Sequence, residues 1–167
     1  MPKRLRVYEG RLALVPLQPT GFALCVVARS SGKGSAFGYF FGPAIADVSS
    51  WSGDLPSPDR AVLICRFGDH GLWHGSWLQV GQLSPWHRSE WPLPAFARKH
   101  DDPNLMYLTE YDDSLHVLSE RLIFRDQALA CTSLEDSQLG SGIVESKLSQ
   151  LLGAQQAILP SAARSDG

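Results

Sequence analysis

The chain alternates between short apolar runs and turn-forming residues, and this spacing predicts strands. Leu12 to Leu17 and Gly21 to Ala28 read as two strands around the turn Gln18-Pro19-Thr20-Gly21. The second run, GFALCVVA, is apolar almost throughout, as in a strand covered on both faces. A Gly/Ser connector, Ser30 to Ser35, leads to a third strand over Ala36 to Gly42. Arg60 to Phe67 forms a fourth, after a loop over Ile45 to Pro58 with room for one helical turn. Trp77 to Leu83 alternates in period two around Gly81, the pattern of a strand with a bulge or a close approach. Pro85 to Phe96 holds three prolines and no period, so no regular element is expected there. Leu105 to Tyr111 and Leu115 to Phe124 flank an Asp112-Asp113-Ser114 turn; the second of them could begin as a helix.

Near the end the period changes. Ile143, Val144, Lys147, Leu148, Leu151 and Leu152 share one helical face, with Ser141 as N-cap and Gly153 as the stop. The fold class expected is mainly β (α+β): a curved antiparallel sheet or partly open barrel of about six strands, with one C-terminal helix across an end or edge. Residues 1–153 form one domain on this reading, and 154–167 a flexible tail.

Composition narrows the class. The chain has 167 residues, 44% hydrophobic and 19% charged, which suits one globular core. The net charge of −2 makes the whole chain no magnet for nucleic acid or membrane. The distribution is uneven. Residues 1–35 carry six Lys/Arg against one Glu, whereas residues 101–138 carry nine acids against two Arg. Either the two segments face each other in the fold or are simply solvated, or the acidic one faces a basic partner.

Cys25, Cys65 and Cys131 are widely spaced and odd in number. Cys25 and Cys65 sit in apolar runs and read as buried hydrophobes, consistent with a reducing compartment. The basic N-terminus lacks the apolar stretch of a signal peptide, and no run is long enough for a membrane helix. The cytoplasm is the expected location.

Catalytic signatures are sparse. GxSxG, GxGxxG and Walker patterns are absent, and the SSGKGS connector does not match a phosphate loop in spacing. Asp69, His70 and His74 could form a metal-dependent hydrolase site, with His87 as a further ligand, but Gly68 and Gly71 argue against the helical turn that would align the histidines. Trp73, Trp77, Trp86 and Trp91 fall within one short segment. Trp77 and Trp91 read as core. Trp86, between Pro85 and His87, reads as a surface recognition aromatic. A β-barrel module binding a ligand or nucleic acid through these rings is the other alternative, although few Lys or Arg are interleaved with them.

Several short motifs, taken in order, resemble the immunity protein 26 family of bacterial polymorphic toxin systems. They are Gly10-Arg11-Leu12-Ala13-Leu14-Val15-Pro16-Leu17 with Gly21 to Val27, Gly38 to Pro43, Gly75 to Leu83, Trp91 to Phe96, and Val144-Glu145-Ser146-Lys147-Leu148. The resemblance spans residues 8–152 and is weakest over 114–138. It implies a small cytoplasmic antitoxin that binds and neutralises a cognate toxin, with no catalytic residues and no cofactor. Many toxins that act on nucleic acid are basic, so the acidic segment is the natural contact. Asp101, Asp102, Glu110, Asp112 and Asp113, with Trp86, are the expected partner-binding residues.

Overall fold

The computed structural model describes residues 5–158. The strands are β1 (Arg11–Pro16), β2 (Phe22–Ser30), β3 (Ser35–Ile45) and β4 (Leu63–Gly68), followed by a one-turn helix α1 (His70–His74). Next come β5 (Leu78–Gln82), β6 (Phe96–Lys99), β7 (Leu105–Tyr111) and β8 (Val117–Phe124). Helix α2 (Arg125–Cys131), a short β9 (Gln138–Leu139) and helix α3 (Ser141–Ile158) complete the described chain.

The fold is mainly β with a C-terminal helix, as the pattern predicts, but the strands form two sheets and neither closes into a barrel. The larger has the order β5-β1-β2-β3-β4-β9 and the smaller β6-β7-β8. All pairings are antiparallel except β4 with β9, which is parallel. Among the described residues nine strands replace the expected six or so.

The near-continuous apolar runs arise because the larger sheet is covered on both faces. Alternate residues Ala13, Val15, Ala23, Cys25 and Val27 point to one side, where Leu72, Trp77 and the α3 residues Val144, Leu148 and Leu152 pack. Their neighbours Leu12, Leu14, Leu24, Val26 and Ala28 point to the other side, against Phe37, Tyr39, Phe41, Trp91 and Phe96. The period of two thus sorts one apolar strand between two cores.

The segment 134–139 joins the two sheets. Ala97 of β6 donates its N–H to the Leu134 carbonyl and accepts from Asp136 N, both at 2.8 Å. Two residues later the same segment becomes β9 and pairs Gln138 with Arg66 and Leu139 with Phe67 of β4. Asp136 locks the junction: its Oδ1 accepts from Arg66 Nη2 and from the Tyr111 hydroxyl, each at 2.7 Å.

Two expectations about helices need correction. His70 to His74 is helical despite Gly71, and the glycine there serves packing: a Cβ on residue 71 would lie 2.8 Å from the Trp77 indole. Helix α3 runs through Gly153 to Ile158 rather than stopping at the glycine, so the expected tail begins inside a helix. Its remainder, 159–167, lies outside the described residues. No helix among the described residues is long and apolar enough to cross a membrane.

Candidate partner-binding site

The expected acidic residues fall in two turns, not one patch. Asp101 and Asp102 occupy the β6–β7 turn, and Asp112 and Asp113 the β7–β8 turn. Strand β7 separates them by about 20 Å at the usual strand rise. Glu110 lies on the exposed part of β7 and accepts from Ser119 Oγ at 2.7 Å.

The carboxylates differ in freedom. Asp102 Oδ1 accepts from Asn104 N at 2.9 Å and so shapes its own turn. Asp112 Oδ1 accepts from the backbone N–H groups of His116 and Ser114, at 3.0 and 2.9 Å. These bonds, that of His116 foremost, hold the Asp112 carboxyl below its ordinary range. Asp113 is committed inward: its Oδ1 lies 2.6 Å from Arg29 Nε and its Oδ2 3.2 Å from Arg88 Nη1. Arg29 is only 4% exposed and also donates to the carbonyls of Ala28 and Trp91. The basic N-terminal segment and the acidic segment therefore do meet, at Arg29 and Asp113.

Trp86 is half-buried, not a projecting aromatic. Its ring stacks on Trp91 with centroids 6.2 Å apart. Its indole N–H donates to Glu9 Oε2 at 3.1 Å, and Arg88 grips the same carboxylate through Nε and Nη2 at 2.8 and 3.0 Å. Beneath the ring sits Gly10, with φ of 77° and no room for a Cβ. Trp86, Glu9, Arg88, Asp113 and Arg29 thus form one continuous chain of contacts. Trp77 and Trp91 are buried, as expected of core.

The histidines of α1 sit one turn apart, with rings stacked at 5.2 Å. Among the described residues no group of three or more His, Cys, Asp or Glu is disposed to hold a metal ion. Cys25 and Cys65 are buried, and burial pushes both thiols up, Cys65 to about 12.

A feature with no signal in the strand pattern appears on β8. Val117, Leu118, Leu122 and Phe124 are all exposed, as is Leu129 of α2. The strand expected over Leu115 to Phe124 proves to be an open edge, which only the topology reveals.

The chain matches the family model for immunity protein 26 over residues 8–103. It belongs to that family. Neither a curated protein nor a solved structure matches it. The immunity protein 26 match takes in β1 to β6, the tryptophan segment and the turn bearing Asp101 and Asp102. Strands β7 and β8, with Glu110, Asp112 and Asp113, and the late-helix motif at Val144 to Leu148 lie beyond it.

Proposed function

We propose that this chain is a non-enzymatic, cytoplasmic immunity protein that binds a cognate toxin domain of a bacterial polymorphic toxin system and neutralises it. Membership of the immunity protein 26 family carries this reading. The acidic segment supports a basic toxin as the partner, since opposite potentials steer encounter and set orientation. Asp101, Asp102, Glu110 and Asp112 are the contacting carboxylates on this view. None of them forms an ion pair with Lys or Arg among the described residues. Asp113 and Trp86 contribute by holding the β7–β8 turn and the tryptophan segment in place beside them.

The test is association kinetics with a cognate toxin domain, sought first in the adjoining gene. Reversing Asp101, Asp102, Glu110 and Asp112 to Lys should slow association by about tenfold or more at low salt and flatten its salt dependence. Unchanged kinetics would remove these carboxylates from the interface. A toxin whose activity is untouched by the wild-type chain would remove the function itself.

A further inference from the structure

Strand β8 forms the outer edge of the three-stranded sheet. It is long for an open edge, eight residues, and Leu118 and Phe124 are 70% and 64% exposed. An edge presents unpaired N–H and C=O groups, and native proteins usually blunt it with charges, prolines or a cover. Exposed aliphatics are ordinary when scattered singly, whereas a contiguous set marks an interaction site. Here Leu122 and Phe124 share a face with their cross-strand partners Tyr107 and Leu105, and Leu129 stands exposed on the helix that follows directly.

Resting on the immunity reading, we propose that β8 is the docking edge for the toxin domain, which adds a strand of its own to the β6-β7-β8 sheet. Main-chain hydrogen bonds supply the pairing, and apolar side chains of the added strand pack on Leu118, Leu122 and Phe124. The ends of the edge state the partner's charge. Asp112 lies in the turn that opens β8. Asp101 and Asp102 lie in the turn that meets its far end, where Arg125 N donates to the Asn104 carbonyl at 2.7 Å. The added strand is therefore apolar opposite Leu118, Leu122 and Phe124, charged in the complementary sense opposite Glu120 and Arg121, and cationic where it nears Asp112 and the Asp101–Asp102 turn.

A second copy of this chain is the rival occupant, and charge argues against it. Two-fold antiparallel pairing sets one residue opposite its own copy. The two such registers with most of β8 paired, 117–123 and 118–124, put Glu120 against Glu120 or Arg121 against Arg121. Like charges directly opposite destabilise a pair. Shifting to Ser119 or Leu122 as the centre sets Glu120 against Leu118 or Phe124 and shortens the ladder. A foreign strand escapes this symmetry.

The experiment uses the full chain and the same cognate toxin domain. Amide hydrogen exchange is followed with and without that domain, and affinity is measured for wild type, for L118K/L122K, and for L78K on the exposed edge strand of the other sheet. Circular dichroism and melting confirm that each variant is folded. We expect protection concentrated on β8, affinity lost by about tenfold or more in the double variant, and L78K within about twofold of wild type. Equal binding by wild type and double variant, with protection elsewhere, overturns this docking edge and leaves the immunity reading standing. Failure of wild type to bind overturns that reading and this inference with it. A wild-type dimer in light scattering that the double variant abolishes assigns the edge to a second copy and overturns the proposal.

Discussion

The carboxylate of Asp113 is drawn in two directions, toward solvent and toward a guanidinium that has almost none. Its side chain is 51% exposed, whereas Arg29 lies within the packed second strand. Removing the charge leaves Arg29 buried with two carbonyls and no counter-ion, a state that costs more than the loss of a surface pair. Asp113→Asn should therefore lower stability by about 1–2 kcal/mol, the half-exposed acid reducing the full buried-pair value. Asp101→Asn, in a turn where that side chain makes no hydrogen bond or ion pair among the described residues, should change it by less than about 0.5 kcal/mol. Urea unfolding of the two variants separates them, and equal midpoints would show that Asp113 is no structural anchor. The charge asymmetry between the two segments is visible in the sequence. Which acid it neutralises is not, because Arg29 sits 84 residues from Asp113.

Helix α3 gives a sharper sign test at the level of elements. A glycine after an apolar period normally ends a helix in a left-handed cap, where a Cβ is unwelcome. Here the helix spans Ser141–Ile158, so Gly153 is interior, and a Cβ on it would meet nothing within 4 Å. Gly153→Ala should raise stability by roughly 0.5–1 kcal/mol. A fall in melting temperature would mean that the helix stops where the pattern says. Apolar runs set between turn signals made β1 to β5, β7 and β8 legible within a few residues, because the turn residues bound each of them. Elements decided by tertiary contact were not. Strand β6 has four residues emerging from a proline-rich stretch, and β9 has two, placed by pairing with β4. Helix α2 follows β8 with no turn residue between Phe124 and Arg125. The acidic run read as one patch because sequence proximity hides the length of β7 between its two turns.

The whole molecule depends on the contact between its two sheets, and two tyrosine hydroxyls stand at that contact. Tyr39 of β3 donates to the carbonyl of Pro92 in the tryptophan segment. Tyr111 of β7 donates to Asp136, which also holds Arg66 of β4. Burial pushes Tyr39 from 10 up to about 12, against the opposing pull of Arg29. Burial, then the hydrogen bond to Asp136, pushes Tyr111 over the same range. Each phenol is thus neutral in the folded chain at a pH where the unfolded chain has released its proton. The folded state binds more protons, so stability falls as pH rises. The contribution is fully present below pH 10 and is lost between 10 and about 12, the ordinary and the folded values. Buried Cys65, raised from 9 to about 12, opens the same loss one unit earlier. Urea midpoints taken across this range should hold steady up to about pH 9 and then decline. Tyr39→Phe with Tyr111→Phe removes two ionising groups from the unfolded chain, at the expense of two hydrogen bonds in the folded one. The double variant should start lower at neutral pH and decline less steeply above pH 10, so that the two curves converge. Parallel curves would mean that these hydroxyls do not couple the sheet contact to alkaline unfolding.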